Sequence, residues 1–176
     1  MVPVRWQAGA LRRVVVIGPP GSGKSTLARR LGERLGLPVF HLDQAFWRPG
    51  WVMAPPEEFR AEVMRIAAMP EWVVDGNYVD TIAPRLRAAD AVIYLDVPAW
   101  VSVWRILRRS LASYGRVRAD AAPGCPERLD MEFLQFAWTF NRTRRLRNLA
   151  IVAGFAGRVA VLPDIAAVEA LLDAHA

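Results

Sequence analysis

Residues 18–25 read Gly18-Pro19-Pro20-Gly21-Ser22-Gly23-Lys24-Ser25. They fit the pattern G-x-x-x-x-G-K-[ST], and their neighbours fit as well. An apolar, β-branched run, RVVVI at 13–17, precedes them. Leu27, Leu31 and Leu35, spaced as one face of a helix that Gly36 can end, follow. A strand, a glycine-rich turn and a helix in that order form a P-loop. The glycines let the backbone curl until its N–H groups converge on phosphate oxygens. Pro19 and Pro20 stiffen the entry to the turn. The helix that begins here points its positive end at the same place. In this arrangement Lys24 reaches the β- and γ-phosphates of a nucleoside triphosphate, Ser25 coordinates Mg²⁺, and Thr26 donates to the α-phosphate.

The rest of the chain alternates in the same manner. Further short apolar runs lie at 38–42, 72–74 (ending at Asp75), 91–95 and 158–162. Their lack of polar alternation suits strands covered on both faces. Helical patterns separate them. One opens at Pro55-Pro56 with Phe59, Val63 and Ala67 on a face. Another is marked by Trp100, Val103, Trp104, Leu107 and Leu111. A long one carries Phe133, Phe136, Ala137 and Phe140, and a last one runs over 165–172. This alternation predicts an α/β fold of three layers, a parallel sheet with helices on both faces. At 176 residues, with 53% hydrophobic and 23% charged residues, the chain suits one domain, expected over 13–176 behind a loose lead-in at 1–12. The longest uncharged runs, such as 148–157, are too short to span a membrane. The N-terminal segment lacks the pattern of a signal peptide, and the single cysteine, Cys125, allows no internal disulfide. The expected location is cytoplasmic.

Holding Mg²⁺ beside a phosphate chain calls for a carboxylate. Two apolar strands end in one, at Asp75 and Asp96. In open α/β sheets the ligand crevice lies at the carboxyl ends of the strands. Asp75 is favoured because Gly76 after it permits close approach; a capping or turn role is the alternative for both. Asp43 ends the second strand, where a carboxylate can orient or deprotonate an acceptor hydroxyl, or simply make a turn. His41 reads as a packed strand residue. Trp47 and Trp51, in the Pro/Gly loop at 46–51, either close over an acceptor or plug the core.

Lys24 is the only lysine among 23 basic residues, which give a net charge of +6. Such a charge raises a nucleic-acid reading, yet no nucleic-acid-binding motif accompanies it. Arg105, Arg108 and Arg109 share one helix face. Arg116 and Arg118 lie in a Gly/Pro/Ala-rich segment at about 110–126 that suits a small arginine-bearing lid. Arg142, Arg144 and Arg145 lie near the end of the long helix. Phosphoryl transfer uses arginines against the charge on the γ-phosphate oxygens, and a lid excludes water; a solvated basic face is the plainer alternative.

The chain resembles the adenylate-kinase-like group of small P-loop kinases, which includes shikimate and gluconate kinases. More narrowly, it is similar to the DNA topology modulation proteins. The narrower likeness rests on His-Leu-Asp at 41–43, Phe-Trp-Arg-Pro-Gly-Trp at 46–51, Val-Asp-Gly-Asn-Tyr at 74–78, Leu-Asp-Val-Pro at 95–98 and Cys-Pro-Glu-Arg at 125–128, and covers nearly everything from Arg13 onward. The resemblance implies a five-stranded parallel sheet of order 2-3-1-4-5, with ATP and Mg²⁺ as cofactors. The third strand then lies beside the P-loop strand, which supports Ser25 and Asp75 as the metal side. It also implies that Arg105 stacks on the adenine and that Arg109, Arg142 and Arg145 reach phosphates.

The departures from the adenylate kinase pattern fall on the acceptor side. After Asp75-Gly76, Asn77 and Tyr78 replace the Phe-Pro-Arg whose arginine grips an acceptor phosphate. The Thr-Gly-Asp acceptor pattern is absent too. Asp43 instead resembles the acceptor-facing carboxylate of hydroxyl kinases. The acceptor is therefore expected among Asp43, Trp47, Asp75, Gly76, Asn77 and Tyr78, and its identity stays open. Three functions follow as expectations: a kinase for a small molecule or nucleotide, a nucleotide-dependent nucleic-acid protein, and a non-catalytic ATP-binding regulator.

Overall fold

A computed structural model describes residues 5–6 and 9–174. Along the chain the elements are β1 (Arg13–Ile17), α1 (Lys24–Leu35), β2 (Val39–His41), α2 (Leu42–Phe46), β3 (Trp47–Arg48), β4 (Val52–Met53), α3 (Pro56–Ala67) and β5 (Trp72–Asp75). A 3-10 turn at Val79–Thr81 leads into α4 (Ile82–Ala88). Then come β6 (Ala91–Leu95), α5 (Ala99–Ala112), α6 (Met131–Thr143), α7 (Arg145–Ala153), β7 (Arg158–Leu162) and α8 (Ile165–Asp173).

Five strands form one parallel sheet ordered β2-β5-β1-β6-β7. Counted within that sheet, the order is 2-3-1-4-5, as the family resemblance implies. The labels differ only because β3 and β4 pair separately as an antiparallel hairpin. Alternate residues of each strand face opposite layers. Val14 and Val16 of β1 pack with Leu27, Ala28 and Leu31 of α1 and Val168 of α8. Val15 and Ile17 face the other way, toward Phe59 and Val63 of α3, Ile82 of α4 and Val152 of α7. Covering on both faces is why these strands carry no polar alternation.

Four details differ from the sequence expectations. The second strand stops at His41, because Leu42 turns down into the core as the first residue of α2 and is fully buried. On α5 the buried side is Ser102, Ile106 and Ser110, while Trp100, Trp104 and Leu111 face solvent. The first residues of the expected lid, 110–112, belong to α5; the loop beyond closes on itself through a bridge between Tyr114 and Glu127. Within the expected lead-in, Arg5 pairs through its backbone with Val159 at 2.8 and 2.7 Å. Residues 1–4, 7 and 8 of that lead-in lie outside the described residues.

Candidate active site

The carboxyl ends of β1, β2, β5 and β6 open onto the loop between β1 and α1. Gly18, Gly21 and Gly23 there all have positive φ. A side chain at Gly21 would place Cβ 2.5 Å from the Ser102 carbonyl oxygen, so the loop can press against α5 only as glycine. α1 starts on Gly23 with no side-chain cap and no acidic residue in its first turn, which leaves its leading N–H groups for an anion. The hydroxyl of Ser22 is buried without a partner. A loop whose buried donors lack internal acceptors fits a bound phosphate chain. Lys24 is half-buried and its Nζ donates to the Pro19 carbonyl at 3.1 Å. Burial lowers its pKa below the usual lysine value, and the charges of Asp75 and Asp43 oppose that shift.

Asp75 is buried at the end of β5, beside the P-loop strand. Its Oδ2 accepts from the Ser25 hydroxyl at 2.7 Å. Among the described residues no cluster of three His, Cys, Asp or Glu side chains could hold a metal alone. A hydroxyl and a carboxylate in contact instead suit Mg²⁺, which keeps most of its positions for water and phosphate oxygens. The other oxygen of Asp75, Oδ1, lies 2.6 Å from Nδ1 of His41. His41, expected as strand packing, is thus a partner of Asp75. Burial lowers its pKa, but the hydrogen bond and charge of Asp75 outweigh burial, and the net shift is upward. Strand register is the signal that reveals this pairing: His41 stands opposite Asp75 in the β2–β5 ladder.

Asp96 takes no part in this. Both of its oxygens accept from Arg145, at 2.7 and 2.6 Å. That bidentate pair removes Asp96 as a metal ligand and ties Arg145, expected on phosphates, to the end of β6. Arg142 is exposed on α6, nearly opposite the buried Phe140. Arg105 donates to the Ser22 carbonyl at 3.0 Å and lines a cavity of about 430 Å³ with Gly23, Thr26, Arg30, Asp164 and Ile165. This cavity adjoins the P-loop at Gly23.

The segment after Asp75 is held from within. Asn77 clamps the P-loop: Gly18 N–H donates to its Oδ1 at 3.1 Å, and its Nδ2 donates to Gly18 O at 2.6 Å. Both ends of the amide are thereby engaged on Gly18, which takes Asn77 out of the acceptor set expected from the sequence. Arg85, which sequence reasoning missed, is fully buried. Its guanidinium donates to the carbonyls of Gly76 at 2.8 Å, Tyr78 at 3.0 Å, Thr81 at 3.2 Å and Asn77 at 3.4 Å. Burial pushes its pKa down to about 10, against the pull of Asp75. An i, i+3 or i+4 motif would not have pointed to Arg85; only its place on a short helix covering the sheet explains it.

Tyr78 donates to Asp43 Oδ1 at 2.7 Å. Burial, then the charge of Asp43, raise the tyrosine pKa far above its usual value, so Tyr78 stays a donor. Its ring packs with Phe46 and Phe59, with centroids 4.7 and 4.8 Å away. Trp47 stands edge-on to Phe46 and Trp51. The hairpin that carries these tryptophans also latches the lid. Trp51 Nε1 donates to Pro126 O at 3.0 Å, Gly50 N–H to Gly124 O at 2.9 Å, and Cys125 Sγ to Arg48 O at 3.1 Å. Gln44 Nε2 donates to Ala119 O at 2.9 Å. Around the loop after α5, buried Glu127 accepts from Ser110 and Arg118 and pairs with Arg109 at 3.3 Å, while Arg118 also grips Asp120. Arg109 lies close enough to Lys24 that its charge lowers the lysine pKa. Burial, followed by the charge of Arg118, in turn lowers that of Arg109.

Residues 14–116, more than half of the chain, match the family described as AAA domain. The chain belongs to that family. A shikimate kinase from Rhodococcus jostii is 54% identical over 99 residues, covering 48% of this chain and 59% of its own length. A cytidylate kinase from Aeropyrum pernix is 31% identical over 123 residues, covering 60% and 69%. Among solved structures, a gluconokinase from Sinorhizobium meliloti 1021 superposes over 97% of this chain and 91% of its own, with a TM-score of 0.56 at 18% identity, which speaks to the fold. The chain spans 59% of the shikimate kinase and as little as 14% of other curated relatives. The family match stops at residue 116, so the rest of the loop after α5, with α6 and α7, lies beyond what it covers.

Proposed function

We propose that the chain is an ATP-dependent phosphotransferase that moves the γ-phosphoryl group to the hydroxyl of a small acceptor. The observation that carries this reading is the contact of Ser25 with Asp75 beside the P-loop, with Asp43 and Tyr78 beyond it. It joins a donor site to a carboxylate free to serve an acceptor. The kinase relatives support the same reading, including one whose printed name is shikimate kinase.

In this mechanism the P-loop amides and Lys24 cradle the β- and γ-phosphates, and Arg105 holds the base side. Ser25 and Asp75 would hold Mg²⁺, which would supply neutralising charge. Asp43 takes the proton of the acceptor hydroxyl, whose oxygen attacks the γ-phosphorus; the bond to the β–γ bridging oxygen breaks, and ADP leaves. Tyr78 orients Asp43, and Trp47 and Gly76 border the acceptor. Arg109 stands over the transferred group once phosphate competes with Glu127, and Arg145 supports the β6 end through Asp96. The reading includes a single kinase-like domain from residue 13, a lid from about 110 to 126, and a cytoplasmic location where ATP and Mg²⁺ are supplied.

The test is ADP release across a panel of hydroxyl compounds, nucleoside monophosphates and acids. One acceptor class is expected to raise the rate, and Asp43→Asn is expected to remove that stimulation while leaving ATP affinity within about twofold. Stimulation that survives Asp43→Asn removes the assignment of Asp43 as the base.

A further inference from the structure

The charge of this protein is not spread over it. Residues 99–153 hold ten arginines against four acidic residues, a net +6, while the remainder of the chain holds thirteen of each sign. The whole net charge therefore sits on α5, the lid, α6 and α7. Of the four acids there, Asp120 and Glu127 are engaged by Arg118 and Asp130 caps α6, so little negative charge is left to face outward.

The exposed apolar side chains gather in the same place. Of the fourteen large hydrophobic residues exposed among those described, eleven fall within 99–153. Six of those on the helices are more than half exposed: Trp100, Trp104, Leu111, Met131, Trp138 and Leu146. Their exposures run from 55% to 75%. They are ordered. Trp100, Trp104 and Leu111 follow i, i+4, i+11 and lie on one face of α5, with Arg108 beside them. Met131, Trp138 and Arg142 follow i, i+7, i+11 and lie on one face of α6.

Both faces look away from the sheet. On α5 the opposite side carries Ser102 and Ile106 against the P-loop, and Arg105 reaches Ser22. On α6 the buried side carries Ala137 and Phe140, while Asn141 reaches the Val97 carbonyl at 2.9 Å. That bond sets the end of α6 at the start of α5, so the helices run antiparallel, with Ile106, Leu134 and Ala137 packed between them. Two outward stripes of tryptophan, leucine, methionine and arginine thus flank one seam.

We propose that this outer face of the α5–α6 pair, continued by Leu146 and Arg147, binds the surface of an anionic lipid bilayer. Tryptophan is suited to the headgroup boundary, aliphatic side chains to the acyl edge below it, and arginine to anionic headgroups above. A second copy of the chain is disfavoured as the occupant, because two faces that each carry Arg108, Arg142 and Arg147 repel. A nucleic acid would use the arginines and the aromatic rings, but Leu111 at 72% exposed and Met131 at 70% have no role against phosphates and bases. The aliphatic part of the stripe decides for lipid. No helix of the described residues is long and apolar enough to cross a membrane, so the contact is peripheral.

The test is co-sedimentation of the full chain with vesicles of phosphatidylcholine alone and of phosphatidylcholine with 30% phosphatidylglycerol, alongside tryptophan emission. The expected result is binding to the anionic vesicles only, weakened by salt, with a blue shift. In Trp100→Ser/Trp104→Ser/Leu111→Ser the partition is expected to fall at least tenfold, with Tm and ATP affinity unchanged. If that triple variant does not fold, Arg108→Glu is expected to weaken partition severalfold on its own. Absence of binding to anionic vesicles overturns the proposal. So does binding that survives both variants, or a dimer or oligonucleotide complex that these substitutions abolish while vesicles stay unbound.

Discussion

Arg85 is the residue whose removal is expected to cost most outside the β-strand core. A fully buried cation normally pairs with a carboxylate; this one donates to four carbonyls of residues 76–81, with Asp75 nearby as the compensating charge. Through them it fixes the segment that brings Asp75 to Ser25, Asn77 to Gly18 and Tyr78 to Asp43. Replacing it leaves those carbonyls buried without a donor. Arg85→Met is expected to lose about 3 kcal/mol of stability in urea unfolding, with Arg85→Lys intermediate because it keeps the charge and fewer donors. An Arg85→Met protein as stable as the wild type would show that the carbonyls find other partners. At this scale the sequence revealed the donor side well, since Lys24, Ser25 and Asp75 occupy motif positions. It concealed His41, Asn77 and Arg85, because their partners lie 34, 59 and up to 9 residues away and are fixed by strand register and by the path of the chain after β5.

Helices show how far local signals carry. α1 ends on Gly36 in the left-handed conformation, α3 opens at Pro55-Pro56, and both were legible because these positions need a backbone that few residues allow. The buried side of α5 was not legible. Its strongest apolar stripe faces solvent, while Ser102 and Ser110 face inward because the P-loop glycine and Glu127 leave room only for small side chains. α6 gives a test of its own. Asp130 caps it, accepting from Phe133 N–H at 3.0 Å. That bond, more than the nearby Arg128, holds its carboxyl below the usual range. A group with a depressed native pKa stabilises above its unfolded value and loses that contribution as pH falls through the native one. Asp130→Ala is therefore expected to cost about 1 kcal/mol at neutral pH and to cost nothing measurable once both carboxyl values are passed in acid. Urea titrations of both proteins at the two pH values check this. An equal deficit at both would place the effect outside the cap.

In the whole molecule, one sheet separates two tasks. Its carboxyl edge gathers the P-loop, Asp75 and His41, with Asp43 just beyond. The hairpin of Trp47 and Trp51 is joined to the loop after α5 through hydrogen bonds made by Gln44, Gly50 and Trp51. The alternation of strands and helices made the layers and their order accessible from sequence. The lid latch was not accessible, because it joins residues about 75 positions apart through backbone carbonyls that any sequence supplies. The central claim is that this edge transfers a phosphoryl group and does more than bind nucleotide. The most direct measurement follows γ-labelled ATP with Mg²⁺ in the presence of a small-molecule extract and looks for label on a new product. Label is expected to move in the wild type, and Lys24→Ala is expected to reduce the rate by about 10² to 10³. ATP bound at normal affinity, with no label leaving it for any acceptor, would contradict the claim.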